Sequence, residues 1–136
     1  MLEKEIYLEL AERYLAVCQE ELLKENTKIE VAAFCVYHAY ESLACSTISH
    51  FKRSIPLKTH SSKLTTFYVI IKSKQKFKSI AKIAFELNYK FLSMRNQSLY
   101  PQMIKGQIFR SPKDNFTEIE IKKFNDKHLK LYLKYL

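Results

Sequence analysis

The sequence predicts an all-α protein, an up-and-down antiparallel bundle of about five helices forming one domain over residues 1–136. Three observations predict it. Apolar residues recur at helical steps through several long stretches. Only 1 Gly and 3 Pro interrupt the 136 residues, which leaves few places for tight turns. The single strand-like segment has no partner strand anywhere in the sequence, and a lone strand cannot satisfy its backbone.

Ile6, Leu10, Tyr14, Val17 and Leu22 mark a first helix over about residues 3–24. Thr27 and Glu30 then form a capping-box pattern, in which hydroxyl and carboxylate satisfy free backbone donors reciprocally. The second helix carries Val31, Phe34, Cys35, Leu43, Ile48 and Phe51. Its segment VAAFCVY is apolar almost all round, so this is expected to be the most buried helix. Pro56 disfavours helix at Ile55 and predicts an end near Arg53. SSKLTTFYVIIK has strand-like composition, but without a partner it reads as a short third helix over 61–72, with Leu64, Phe67, Tyr68 and Ile71 inward. A fourth helix over about 75–99 buries Phe77, Ile80, Ala84, Leu87, Phe91 and Met94. Residues 100–116, with Pro101, Gly106 and Pro112, read as the longest loop. Thr117 and Glu120 form a second capping box, with Phe116 and Ile121 in staple positions, before Phe124, His128, Leu131 and Tyr135 continue the last helix.

Composition narrows the function. Cys18, Cys35 and Cys45 lie in apolar helical patterns without CxxC spacing, as expected of reduced core thiols in a cytoplasmic protein. No apolar run approaches the roughly 20 residues that span a bilayer, and MLEKEIYLEL is acidic and unlike a signal peptide, so no membrane role is expected. The net charge of +9 is uneven: residues 1–45 hold 4 Lys/Arg against 9 Asp/Glu, and residues 46–136 hold 19 against 5. Between Glu41 and Glu86 there is no acid, while Lys52, Arg53, Lys58, Lys63, Lys72, Lys74, Lys76, Lys78 and Lys82 accumulate. Such a stretch is either a solvated lysine face or a surface for a polyanion such as RNA. Of nine Tyr and nine Phe, most sit at core spacing, and Tyr68 and Tyr100 remain as candidates for stacking on RNA bases.

SMRNQSLYP, residues 93–101, raises the question of a site. Pro101 pushes Tyr100 out of the α region, so the fourth helix ends there and Tyr100 can turn back toward Arg95. Arg95, Asn96, Ser98 and Tyr100 then offer a guanidinium, an amide, a hydroxyl and a phenol around one helix end, a set that suits a phosphate. The simpler alternative is an Arg satisfying the C-terminal carbonyls of its own helix. There is no P-loop, GxGxxG, HExxH or zinc-spaced Cys/His cluster, and neither metal nor cofactor is expected.

VAAFCVYHAYESLA, THSSKL, MRNQSLYP and the closing FTEIEIKKFNDKHLKLYLKYL, in this order, resemble the HEPN superfamily over nearly the whole chain. These are small helical bundles named for higher eukaryotes and prokaryotes nucleotide-binding domains. The resemblance implies the fold and a site at the end of a late helix, where many members carry R-x4-6-H and cut RNA without metal, the 2′-hydroxyl attacking the phosphate. It also implies a homodimer with facing motifs and, in some members, a minimal nucleotidyltransferase as antitoxin partner. Arg95 matches the motif arginine, Asn96 the polar residue after it, and Tyr100 stands where the histidine would be. That departure matters, because a phenol of pKa near 10 is a poor base at neutral pH, although it can donate a hydrogen bond or act as an acid.

Other residues are supporting candidates. His38 sits three residues before Glu41, and Glu41 is placed to orient Arg95 if the two helices pack in register. His60, among basic residues, is a cap or a substitute for the motif histidine. Two readings stay open: an RNA-binding protein that cleaves through Arg95, Asn96 and Tyr100, and a non-catalytic dimeric module that docks a protein partner.

Overall fold

The structure, a computed structural model, describes residues 1–51, 53–106 and 108–129, without the side chains of 79, 83, 104, 108 and 127–129. Lys52, Leu131 and Tyr135 lie outside the described residues, and so does the side chain of His128. The chain forms the expected all-α bundle. Helix α1 spans Glu3–Leu22, α2 Ile29–His50, α3 His60–Ser73 and α4 Lys78–Leu99, the last entered through a 3-10 turn at Gln75–Phe77. Helix α5, Glu118–Lys123, runs on as a π-helical stretch over Phe124–Leu129.

Helix α2 is central, packing against α1, α3, α4 and α5. Sixteen of its 22 residues are buried, which follows from a sequence that is apolar on every face. Helix α1 runs antiparallel to it: Ser46 Oγ at the end of α2 donates to Lys4 O at 2.7 Å, and Glu21 Oε1 at the end of α1 accepts from Lys28 N–H at 2.9 Å. Helix α4 is also antiparallel to α2, with Phe51 beside Phe77 and Tyr40 stacked on Phe91 at 4.5 Å. The inward stripe read for α4 is the one it buries, Phe77, Ile80, Ala84, Leu87, Phe91 and Met94. Phe91, wholly buried, sits between the Tyr40 and Phe124 rings, so truncating it to Ala costs about 3–5 kcal/mol.

Several local expectations are corrected. The stripe that marks α1 is not the face it buries: Ile6, Leu10 and Val17 are exposed, while Ala11, Leu15 and Cys18 are buried. Ala11 and Cys18 are small, and α2 buries small residues too, so the two helices can approach closely. The Thr27–Glu30 capping box does not form. Thr27 Oγ1 donates back to Lys24 O, and Lys28, not Thr27, is the N-cap, its N–H satisfied by Glu21. At α5 half of the second box forms: Thr117 Oγ1 accepts from Glu120 N–H at 3.2 Å, while the Glu120 carboxylate pairs with Lys90 at 3.3 Å.

The long loop holds a small antiparallel hairpin, β1 over Gln102–Ile104 and β2 over Ile108–Arg110. Its turn places Lys105 and Gly106 at φ 51° and 77°, the left-handed region that glycine enters without a Cβ penalty. Three-residue strands carry too little alternation to be read locally.

One connection sets up the site. Helix α3 does not start level with the end of α2. Its first residue, His60, lies beside Tyr37 and Glu41 in the middle of α2, so residues 53–59 run back along the bundle. Thr59 fixes that start as N-cap, its Oγ1 accepting from Ser62 N–H at 3.0 Å.

Candidate functional site

Glu41 is the centre of the site. It is buried on α2, and a buried carboxylate needs partners. His60 Nδ1 lies 2.6 Å from Oε1 and Lys63 Nζ 3.2 Å from the same oxygen, both from the first turn of α3. His38 Nδ1 is 4.0 Å from Oε2. Burial pushes the Glu41 pKa up, but the bonds from His60 and Lys63 outweigh it, and the carboxyl is held below its ordinary value. Glu41 is therefore ionised at neutral pH and can only accept. The proton on His60 must then sit on Nδ1, which leaves Nε2 of the neutral ring with a lone pair. The His60 side chain is 40% exposed and lines a cleft.

These groups line a cleft of about 240 Å³, whose remaining walls come from Tyr7, Leu10 and Tyr14 of α1 and Ser42 and Cys45 of α2. Leu10 is on the exposed part of the α1 stripe, while Tyr14 packs partly against the core. His38 is held by rings, stacked on Tyr14 at 5.1 Å and meeting the edges of Phe34 and Tyr37 at 4.3 and 5.4 Å. Burial lowers its pKa; Glu41 opposes this, while His60, Arg95 and Lys63 add to it, so His38 is neutral at pH 7. Tyr37 is wholly buried, and its hydroxyl lies beside Glu41 without the geometry of a hydrogen bond. Burial, reinforced by the Glu41 charge, pushes this phenol's pKa up and keeps it protonated.

Arg95 comes from the last turns of α4. Its charge acts on Tyr37 and His38, lowering the pKa of each, but it is not among the residues that line the cleft. Glu41 does not orient it, because that carboxylate is taken by His60 and Lys63. Among the described residues Arg95 has no ion pair; one terminal nitrogen donates to Asn96 Oδ1 at 3.2 Å, and the buried Nε has no partner. Nor does it serve its own helix end. Ser98 Oγ donates to Arg95 O, Tyr100 N–H to Asn96 O and Asn115 Nδ2 to Gln97 O. Tyr100 caps α4 in an extended conformation, with its ring 54% exposed. It does not fold back onto Arg95: among the described residues its side chain makes no hydrogen bond or ring contact.

The lysine-rich stretch divides. Lys63 belongs to the cleft. Arg53, Lys58, Lys72, Lys74, Lys76, Lys78 and Lys82 are exposed, and around the α3–α4 junction the ammonium groups of Lys72, Lys74 and Lys76 lie over the rings of Tyr68, Phe51 and Phe77. Among the described residues no three His, Cys, Asp or Glu side chains gather as a metal site, and no helix is long and apolar enough to cross a membrane. The three cysteines are buried and free, and burial pushes the Cys18 thiol up to about 12.

The structure thus joins His60, Glu41, Lys63 and His38, and adds the charge of Arg95, but leaves Asn96 and Tyr100 at the exposed helix end. The His60–Glu41 bond spans 19 residues of sequence and has no local signature. The signal that was available is the Thr59 cap, which fixes His60 as the first helical residue. No family model, curated protein or solved structure matches the chain.

Proposed function

We propose that this chain binds RNA and cleaves it without a metal, at the cleft where Glu41 holds His60. The observation that carries the reading is the His60–Glu41 bond, which fixes the tautomer and leaves Nε2 available as a general base. In this reading Nε2 removes the proton of a ribose 2′-hydroxyl, whose oxygen attacks the adjacent phosphorus. The bond to the 5′-oxygen breaks, and that oxygen takes a proton from water at the open mouth. The products are a 2′,3′-cyclic phosphate and a 5′-hydroxyl. Lys63 and Arg95 stabilise the charge on the non-bridging oxygens. The likeness of MRNQSLYP to the HEPN motif supports Arg95 in that role, with His60 taking the place of the motif histidine.

Three buried thiols suit a cytoplasmic location, and the HEPN resemblance adds a homodimer as the working assembly. One observation favours the second reading, a non-catalytic module docking a partner such as a nucleotidyltransferase: Tyr100, in the histidine's place, is exposed and makes no hydrogen bond to Arg95.

The test is RNA cleavage in excess EDTA by the wild type, His60→Ala and Arg95→Ala. The proposal expects a cyclic-phosphate product from the wild type and its loss in both variants. A wild type that binds RNA and leaves it intact, while capturing a nucleotidyltransferase, would establish the docking module instead.

A further inference from the structure

The outer face of α3 and α4 carries aromatic rings that the core does not use. On α4, Lys78, Lys82, Phe85 and Tyr89 follow at steps of four, three and four and so share one stripe. Phe85 is 64% and Tyr89 85% exposed. On α3, Tyr68 and Lys72 face them: the Tyr68 and Phe85 rings are 5.5 Å apart and tilted by 51°, and Lys72 Nζ lies 5.9 Å from the Tyr68 centroid. The groove between the helices holds about 560 Å³. Leaving large aromatics on the surface gives up burial free energy, and a patch of them marks a contact site.

Resting on the reading that the chain binds RNA, we infer that this face is a platform on which unpaired RNA bases stack. Bases of every kind have a π-face, so open rings flanked by cations take a single strand without reading its sequence. The flanking charges choose this occupant. Lys72 lies over the Tyr68 ring and Lys82 sits one turn before Phe85 on α4, flanking a groove whose one charged lining residue, among the described residues, is Glu86. A second copy of the chain laid on this face by a two-fold axis would bring these lysines against their own kind, which costs binding energy. A phosphate backbone brings the opposite charge. The platform is separate from the cleft: Tyr68 lies about 12 Å along α3 from His60, on another side of the helix.

The experiment uses fluorescence anisotropy with a labelled single-stranded RNA of about 12 nucleotides and a blunt duplex of equal length. Both probes are titrated into His60→Ala, which leaves RNA uncut, and into the same protein carrying Phe85→Ala and Tyr89→Ala. The two rings are exposed, so the fold survives their removal, as an unchanged thermal midpoint would verify. Single-strand affinity is expected to fall at least tenfold, and duplex affinity, whose bases are already stacked, to stay within twofold. Equal single-strand binding by both proteins overturns the platform and leaves the RNA reading standing. Unchanged RNA binding with a dimer converted to monomer, seen by sedimentation, assigns the face to self-association and also overturns it. If the His60→Ala protein and the wild type both fail to bind either probe, the RNA reading fails and the platform falls with it.

Discussion

Two polar clusters of this protein lie within reach of one another's charge, and they are built on opposite plans. Around Glu41 every charge answers another: a buried carboxylate accepts from His60 and Lys63, and His38 is clasped by three rings. At the end of α4 the backbone carbonyls are satisfied by Ser98 and Asn115, while Arg95 and Tyr100 answer nothing beyond Asn96. The difference follows from burial. A carboxylate taken from water must find donors within its own fold, whereas Arg95 is partly exposed and keeps a buried Nε without a partner in its own fold. The first cluster is therefore both structure and chemistry, and the second can be chemistry alone.

The largest effect should separate these roles. His60→Ala is expected to lower metal-free RNA cleavage by about 10²–10⁴-fold, the usual contribution of a positioned base. RNA affinity should barely change, and added imidazole should restore part of the activity. A structural histidine would give no such rescue, so its absence in a folded variant would break the assignment. Glu41→Ala comes next, and it acts on stability. It removes the acceptor for two charged or polar donors, and urea unfolding should show a loss of about 2–3 kcal/mol, discounted because His60 and Lys63 are partly exposed. Arg95→Ala should cost under about 1 kcal/mol while abolishing cleavage. Equal losses from the two substitutions would mean that the clusters are not built differently after all.

The same contrast explains what the sequence could disclose. Helix α4 was legible because its large apolar residues sit on one face and all point inward. Helix α1 was not, because large and buried parted company: Ile6, Leu10 and Val17 are outside, while Ala11 and Cys18 make the close contact. Arg95 could be singled out because its neighbours in sequence are its neighbours in space. The Glu41 cluster could not, since its bond to His60 depends on the return of residues 53–59 along α2. Glu41 and His38 were seen as a pair at helical spacing, but the partner that gives Glu41 its function arrives from another helix. Likewise, Thr27 and Glu30 had the pattern of a cap, and a carboxylate from α1 displaced it.

Acid sharpens the comparison at smaller amplitude. The folded pKa of His38 lies below 6.5, so the unfolded chain binds its proton first as pH falls; this contribution is complete above pH 6.5 and is lost as pH drops through the folded value. Glu41 is also depressed, so its contribution is complete above about 4.5 and is lost as pH falls through its lower folded value. The thermal midpoint should thus decline in two stages, first below 6.5 and then below 4.5. Glu41→Gln should shrink the second stage without abolishing it, since Glu21, held down by Lys24 and the Lys28 N–H, loses its own contribution in the same range. A variant that keeps the full decline below 4.5 would show that Glu41 is not the carboxylate responsible.

The smallest effect is expected at Tyr100. Tyr100→His places an imidazole where the HEPN motif has one, and a motif read by spacing alone predicts a gain in cleavage. The geometry predicts otherwise. Tyr100 leaves the helix in an extended conformation, is exposed to water, and makes no hydrogen bond to Arg95. An imidazole there would keep its ordinary pKa near 6.5 but would not be aimed at a phosphate held by Arg95. Stability should change by less than about 0.5 kcal/mol, as for other exposed positions, and cleavage by less than twofold. The informative form of the experiment adds Tyr100→His to His60→Ala. If the double variant recovers metal-free cleavage, the end of α4 is a working centre and the helix terminus closes onto Arg95 when RNA binds. If it stays inactive, the base belongs on α3, in the grip of Glu41.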